Sequence, residues 1–214
     1  MKKFLFIVMV SSLAFVSAKD AGWKFEFDKN GIKVWTRKTD ISKFKEFKSE
    51  AIIKSNIGSI LYVFDDVDNF TNWVYNCTKA KLVKKESPFR GVVYVELKMP
   101  WPVTNRDMVY RYVMTQNKRT KVVTVTFTSI IDNSIPTNGN VRMTDAKSTY
   151  VLTPLDANRV KIEFYSLADP AGSIPKSVVN MFIRDTPYQT LLKLRGIVEA
   201  PSFGRKQMPH FEDF

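Results

Sequence analysis

Charged and aromatic side chains are concentrated in the segment MPWPVTNRDMVYRY, residues 99–112. Two prolines bracket Trp101, and Arg106 and Asp107 stand at the start of a stretch rich in methionine and tyrosine. A hydrophobic core does not need the two charges, and a solvated hairpin does not need the tryptophan. The segment therefore raises the question of why a rigid aromatic turn and a charged pair stand beside so much apolar surface.

The rarest reactive residue types exclude several classes of protein. His210 is the only histidine and Cys77 the only cysteine of the 214 residues. A His-rich metal site and an internal disulfide are therefore excluded, and a Ser-His-Asp triad is not expected. The glycine-rich motifs that bind nucleotide phosphates are also absent from the sequence. We expect neither a metal nor another cofactor.

One predicted strand combines apolar packing with polar groups. Met108, Tyr110, Tyr112 and Met114 alternate along it and share one face. Thioethers adapt to irregular shapes, and buried tyrosine hydroxyls need hydrogen-bond partners. The face is either an ordinary core face or the wall of a ligand cavity, and alternation alone does not separate the two.

The first eighteen residues have the pattern of a secretory signal peptide. Lys2 and Lys3 precede an apolar run, and the small residues of Val16-Ser17-Ala18 form a cleavage site. We expect residues 1–18 to be removed on export to the periplasm or the medium. An uncleaved N-terminal anchor is the alternative.

The charge of the chain is strongly positive. The formal net charge is +12, and the loss of Lys2 and Lys3 would lower it to +10. A basic exported protein can rest on anionic lipid headgroups, although plain solubility explains the charge equally well. Export and the lack of a basic run argue against nucleic acid as a partner.

Alternation, helical spacing and turn residues predict one α+β domain over residues 19–199. The first helix is expected at residues 56–66 with Asn56 as its N-cap, and the last from Ser173, as N-cap, to about Arg195, with Pro187 inside it. The strands between them are expected at residues 79–85, 91–99, 107–115, 121–131, 141–155 and 159–168. A curved antiparallel sheet wrapped around the long C-terminal helix satisfies this order and can enclose an apolar cavity. Residues 200–214 are expected to form a flexible tail.

The sequence resembles the START domain family from about Trp23 to Val198. The resemblance is spread over seven segments, each of them weak when taken alone. They are GIKVWTR at 31–37, Trp73, PWPVTNRD at 100–107, Ile135-Pro136, Val141-Arg142, YVLTPL at 150–155 and DPAGSIP at 169–175.

The resemblance implies a helix-grip fold that binds, and transfers without catalysis, one lipid or sterol in a cavity between the sheet and the last helix. That helix and nearby loops would act as a gate. Arg106 and Asp107 would start a strand and lock its corner, a role that we favour over ligand binding for this pair. Glu96 lies where family members can carry a cavity acid, but Tyr112 stands where its usual arginine partner would be. Arg106, Arg111 and Arg142 therefore remain candidates for that partner. The predicted ligand-binding residues are Glu96, Arg106, Met108, Tyr110, Tyr112, Tyr150, Phe164, Met181 and Phe182.

Two other functions stay open at this point. Relatives in the wider helix-grip superfamily include cyclases and hydrolases, so an enzyme that acts on an apolar substrate is one alternative. The second is an interaction module that senses a lipid. For all three functions we expect a monomer that contacts anionic membranes transiently.

Overall fold

The computed structural model describes residues 22–214, so the predicted signal peptide lies outside the described residues. These residues form one largely antiparallel sheet, two short α-helices, a single turn of 3-10 helix at Val67–Asn69 and one long α-helix. The strands are β1 Lys24–Lys29, β2 Ile32–Thr39, β3 Ser42–Ile53, β4 Cys77–Ser87, β5 Arg90–Leu97, β6 Arg106–Gln116, β7 Val123–Ser129, β8 Val141–Arg142, β9 Ala146–Asp156 and β10 Arg159–Ala168; the helices are α1 Ile57–Asp65, α2 Phe70–Trp73 and α3 Lys176–Val198.

The sheet is curved, and its strands lie in the order β1-β2-β3-β10-β9-β7-β6-β5-β4. Every neighbouring pair in this order is antiparallel, and only the two-residue strand β8 pairs in parallel, with the start of β6. The first hairpin turns at Asn30 and Gly31, which have φ of 54° and 69°. Asn-Gly is a favoured pair for such a turn because both positions need positive φ. The α+β helix-grip architecture predicted from the sequence is confirmed.

The core lies between the concave face of the sheet and the helices. Val123, Val125 and Phe127 of β7 and Val160 and Ile162 of β10 are buried, as their alternation predicts. Ile131 was expected on the same face as the β7 residues, but it is 73% exposed because β7 ends at Ser129.

The long helix has two halves with different packing. All its fully buried residues lie between Pro187 and Val198, and the first half, residues 176–186, is only partly buried. Proline inside a helix removes one backbone hydrogen bond at the boundary between the halves. None of the helices in residues 22–214 is both long and apolar enough to cross a membrane.

Helix α1 begins directly after Asn56, as predicted, but the Asn56 side chain makes no capping hydrogen bond and donates instead to the Lys206 carbonyl, 2.9 Å away. Two other predicted boundaries are wrong in detail. Helix α3 begins at Lys176, three residues after Ser173. The single strand expected at 141–155 is broken between β8 and β9, so its two parts pair with different neighbours.

The C-terminal segment, residues 200–214, runs along the end of the sheet opposite the start of β6. Its Asp213 carboxylate accepts hydrogen bonds from the Gly58 amide, at 2.9 Å, and from the Asn56 side chain, at 2.6 Å. Phe211 packs edge-on against Phe89, at a centroid distance of 5.4 Å. Flexibility of the tail stays a prediction, and these contacts argue against it.

Candidate functional site

A cavity of about 180 Å³ lies between the concave face of the sheet and the first half of α3. Strands β3, β5, β6, β7, β9 and β10 form its floor and walls, α2 closes one side, and α3 forms its roof. Most of the side chains that line the cavity are apolar, for example Val95, Leu97, Met108, Val179, Phe182 and Ile183.

The deep end of the cavity is aromatic. The rings of Tyr150 and Phe164 stack at 4.2 Å with an interplanar angle of 7°. Phe47 meets Phe164 edge-on at 5.0 Å, and Phe127 meets Tyr110 in the same way at 6.0 Å. These rings are positioned by adjacent strands, because Phe164 pairs with Tyr150 across β10 and β9. Such a floor offers large apolar surface and little polarity.

Hydroxyl groups of Tyr110, Ser148 and Ser166 also face the cavity. Ser148 and Ser166 pair across β9 and β10, and their Oγ atoms are 2.9 Å apart. Tyr110 on β6 also lines the cavity. Burial raises the pKa of Tyr110 well above its ordinary value, so its hydroxyl stays neutral and keeps its hydrogen.

At the shallow end Arg106 forms part of the cavity wall and is only 2% exposed. Its guanidinium donates to the carbonyls of Pro170 and Ala171, both at 3.0 Å, and to the carbonyl of Thr104. Burial lowers the pKa of Arg106. The side chain therefore ties the start of β6 to the loop that leads into α3, which is the lock predicted at this corner.

The adjacent residue, Asp107, stabilises the same corner from the other face of the sheet. Its fully buried carboxylate accepts from Arg142 Nε at 2.6 Å and from Arg142 Nη2 at 3.1 Å. The Tyr94 hydroxyl lies 3.0 Å from Asp107 and 2.8 Å from Glu96. Desolvation and both carboxylates raise the pKa of Tyr94.

Six of the nine predicted ligand-binding residues line the cavity, and three do not. Those in the lining are Arg106, Met108, Tyr110, Tyr150, Phe164 and Phe182. Tyr112 is buried deeper, below the cavity, where its ring lies 6.1 Å from Phe127. Met181 lies on α3 outside the lining, whereas its neighbour Phe182 is part of it.

The expectation of a cavity acid at position 96 is corrected by the structure. Val95 and Leu97 line the cavity, so Glu96 between them faces the opposite side of β5. There its carboxylate lies 3.7 Å from Lys79 Nζ and accepts from Tyr94. Arg142 also lies on this face, and its carboxylate partner is Asp107. The Glu96–arginine pair expected in the cavity is absent from the described residues.

Sequence reasoning missed Ser148 and Ser166. A usable signal was present, because each serine stands two residues from a predicted cavity aromatic on the same strand: Ser148 from Tyr150 and Ser166 from Phe164. Trp73 on α2 was also missed as a lining residue, and its buried indole Nε1 lacks a hydrogen-bond partner.

Two known proteins have sequences similar to this chain. The chain is 29% identical over 178 residues to an uncharacterized protein of Pseudomonas aeruginosa, an alignment that covers 83% of this chain and 87% of that one. It is 26% identical over 165 residues to the mouse phosphatidylcholine transfer protein, covering 75% of this chain and 76% of the relative.

Two solved structures have a fold similar to that of this chain. A STAR-related lipid transfer protein fragment from Xanthomonas axonopodis superposes with a TM-score of 0.76 at 31% identity, covering 84% of this chain and 99% of the fragment. Human StAR-related lipid transfer protein 5 has the same fold, with a TM-score of 0.73 at 19% identity over 84% of this chain and 88% of its own. The START domain model matches residues 9–196, which is most of the sequence. The chain belongs to the START domain family.

Proposed function

We propose that the protein binds one lipid or sterol in the cavity between the sheet and α3, and that it carries this ligand between membranes. The observation that carries the proposal is the apolar, aromatic cavity enclosed by the sheet and the helix. An apolar ligand gains about 0.8 kcal/mol for each methylene group that leaves water, so such a cavity stabilises a lipid during passage through an aqueous space. The names of the mouse and Xanthomonas relatives, which are transfer proteins for phosphatidylcholine and lipid, support this class of ligand.

The size of the cavity implies that it opens to load. Its volume of about 180 Å³ is smaller than the ~300–1,000 Å³ of typical ligand sites. The first half of α3 is the element best suited to move, because its residues are only partly buried and its connection to the second half passes through Pro187. This half supplies Val179, Phe182 and Ile183 to the roof, so its outward displacement would enlarge the cavity.

The mouth of the cavity is the side proposed to meet the membrane. The register of the sheet places the β2–β3 turn and the β5–β6 loop at the end where Arg106 stands. Each carries a strongly exposed apolar side chain, Ile41 at 84% and Trp101 at 93%. Lys43 and Lys45 follow Ile41 and supply positive charge for anionic headgroups.

We propose that this carriage involves no chemistry on the ligand. The cavity-facing polar groups are hydroxyls, the Trp73 indole and the cations Lys45 and Arg106, and the described lining contains no carboxylate. Because Glu96 faces away from the cavity, the acid–base role that an enzyme could give it has no support from the geometry.

Native mass spectrometry of the protein after incubation with lipid vesicles tests the proposal. We expect one lipid per protein, together with transfer of a labelled lipid from donor to acceptor vesicles. Ala168→Trp should abolish uptake because Ala168 lines the cavity. Leu155→Trp is the matched control, since Leu155 is 40% exposed and lies outside the lining.

Two results would contradict this function. A protein that takes up no lipid, from vesicles or from its host, is not a carrier. Equal uptake by the Ala168→Trp and Leu155→Trp variants would place the bound lipid outside the cavity. Far-ultraviolet circular dichroism of both variants verifies that each is folded.

Export remains a separate proposal. If residues 1–18 are a cleaved signal peptide, the protein purified from the periplasm or the medium begins at Lys19. N-terminal sequencing tests this directly, and an intact Met1 on a membrane-bound form would support the anchor instead.

A further inference from the structure

The C-terminal segment, residues 200–214, is a part of the molecule that the proposed function does not use. The START domain model ends at residue 196, so this segment lies outside the matched part of the chain. It lies in a groove at the end of the sheet opposite the mouth of the cavity. We call this the tail groove, and the residues that contact the segment there are Asn56 and Gly58 at the start of α1, Phe89 in the β4–β5 turn, and Gln116 and Lys121 at the β6–β7 turn.

The start of α1 binds the carboxylate of Asp213. The Gly58 amide donates to Asp213 Oδ1 at 2.9 Å, and the Asn56 Nδ2 atom donates to Asp213 Oδ2 at 2.6 Å. The first amide groups of a helix have no partner within the helix and carry a partial positive charge, so they favour a negative group here. Both carboxylate oxygens are used, so the groove selects aspartate over an uncharged side chain at this position.

The end of β6 binds the preceding residue, Glu212, through its main chain. The Gln116 side chain donates to the Glu212 carbonyl at 2.6 Å and accepts from the Glu212 amide at 2.9 Å. One amide side chain therefore contacts both main-chain polar groups of a single residue, as a peptide ligand requires. Lys121 adds an ion pair with the Glu212 carboxylate. Phe89 packs edge-on against Phe211 at a centroid distance of 5.4 Å.

The bound segment leaves one polar atom of the tail groove without a partner. Asn56 is 4% exposed, and its buried Oδ1 atom accepts no hydrogen bond within residues 22–214. Its Nδ2 atom is used twice, by Asp213 and by the Lys206 carbonyl at 2.9 Å. A buried acceptor without a donor costs about 1–3 kcal/mol. A peptide that supplies an N–H or O–H to this atom would therefore bind the groove more tightly than the chain's own segment does.

The segment is also bound weakly enough to be exchanged. None of residues 200–214 is fully buried, and the contacts with Gln116 and Lys121 are open to water, where an ion pair contributes only about 0–1 kcal/mol. Pro201 and Gly204 interrupt its connection to α3. Terminal segments with few buried side chains open at a lower free energy than the core. Release of the segment therefore leaves the sheet and the buried half of α3 intact.

We propose that the tail groove is a binding site for an acidic, aromatic peptide segment of a partner protein, and that residues 207–214 occupy it as an intramolecular ligand. The partner segment places an aspartate at the start of α1 and an aromatic residue, two positions earlier, against Phe89, as Asp213 and Phe211 do. It also donates to Asn56 Oδ1, and this additional hydrogen bond lets it displace the chain's own segment. The groove is therefore occupied by one or the other, independently of the cavity.

A fluorescent peptide with the sequence of residues 207–214, QMPHFEDF, tests the proposal on the full-length protein by fluorescence anisotropy. Asp213→Ala in the protein weakens the intramolecular ligand and leaves the groove intact. We therefore expect the peptide to bind this variant at least about 10-fold more tightly than the wild-type protein, the ratio that one charge-assisted hydrogen bond supplies. Asp40→Ala is the matched control, because it removes an exposed carboxylate in the β2–β3 turn and should leave binding as weak as in the wild type.

Two further changes locate the peptide in the groove. Gln116→Ala, added to the Asp213→Ala protein, should weaken peptide binding at least about 10-fold, since the Gln116 side chain makes both main-chain hydrogen bonds. The peptide that carries Asp213→Asn should lose binding to a similar extent. Peptides with one residue replaced by serine or asparagine should include one that binds more tightly than QMPHFEDF, because it donates to Asn56 Oδ1.

Trypsin measures displacement in the wild-type protein without any variant. The peptide contains no lysine or arginine, whereas the protein can be cut after Lys206, directly before the segment. Saturating peptide should speed this cleavage several-fold and leave cleavage elsewhere in the chain unchanged.

Several results would overturn the proposal. Absence of peptide binding to the Asp213→Ala protein, together with unchanged cleavage of the wild type, would show that the segment is a fixed part of the fold. Equal binding to the Asp213→Ala and Asp40→Ala proteins, or binding that survives Gln116→Ala, would place the peptide outside the groove. If no replacement peptide binds more tightly than QMPHFEDF, the selection of a partner through Asn56 is wrong. Circular dichroism verifies that each variant is folded, and none of these results affects the proposed carriage of lipid.

Discussion

Substitution of Asp107 tests how the start of β6, the corner beside the cavity, is stabilised. Its side chain is fully buried, and it binds Arg142 through two hydrogen bonds of 2.6 and 3.1 Å. Asp107→Asn keeps the size of the side chain and one acceptor oxygen, but it removes the negative charge. Arg142, whose side chain is 15% exposed, is then left as a mostly buried cation.

The expected cost follows from this burial. Removing one partner of a buried ion pair destabilises a protein by about 3–5 kcal/mol, because the other charge is left uncompensated. Arg142 retains some contact with water and a hydrogen bond to the Ile135 carbonyl at 3.1 Å, so we expect the lower end, about 3 kcal/mol. The free energy of unfolding falls by about 2–3 kcal/mol per molar urea, so the urea concentration at the unfolding midpoint should fall by about 1–1.5 M.

Equilibrium urea unfolding followed by tryptophan fluorescence measures this shift. Glu46→Gln is the matched control, because Glu46 pairs with Arg37 at 2.7 Å but the Arg37 side chain is 36% exposed. Exposed pairs contribute about 0–1 kcal/mol, so the control midpoint should move by less than about 0.5 M. If the two variants lose the same stability, the buried pair does not hold the corner and the reasoning from burial is wrong.

Four further predictions concern the gate, the mouth, the tail and the buried thiol. Pro187→Ala restores a helix N–H, so unfolding should cost up to about 3 kcal/mol more and lipid transfer between vesicles should slow. Trp101→Ala should weaken binding to anionic vesicles about 10-fold and leave the urea midpoint unchanged, since the side chain is 93% exposed. Gly58→Ala should release the tail and speed tryptic cleavage there, because the new Cβ would lie 2.7 Å from the Lys206 carbonyl oxygen. Cys77, whose pKa burial raises to about 11, should react with a thiol reagent at pH 8 about 100-fold more slowly than an unfolded thiol.

Each of these predictions has a result that contradicts it. A more stable Pro187→Ala protein with an unchanged transfer rate would exclude the proline as part of a gate. Vesicle binding that does not depend on Trp101 would place the membrane contact elsewhere. An unchanged cleavage rate in Gly58→Ala would show that the tail tolerates the methyl group, and fast labelling of native Cys77 would show that the thiol is accessible.

The fold and the order of the elements were predictable because they depend on local patterns. Alternating apolar residues in β7 and β10 identify the buried face of each strand without knowledge of the partner strand. The apolar spacing of α1 likewise lies within a single segment, and the segments that resemble the START family span most of the chain.

Part of the site could be predicted for the same reason. Met108 and Tyr110 share a face in any strand, and so do Tyr150 and Ser148, since the period of two is independent of register. The side of β5 that carries Glu96 was ambiguous, because both of its faces are apolar: Val92 and Tyr94 on one, Val93 and Val95 on the other. Only the curvature of the sheet decides which of these faces encloses the cavity.

The sequence by itself determined the alternation, the composition and the family of this protein, since all three are written along the chain. The tertiary structure alone decided the contacts between distant segments: Arg106 with carbonyls 64 and 65 residues away, and Asp213 with the start of α1, 155 residues away. Such contacts depend on where the chain returns after several strands, and a local pattern carries no information about that distance. The same reason explains the serine pair of the cavity, because Ser148 and Ser166 meet only where β9 and β10 are neighbours in the sheet.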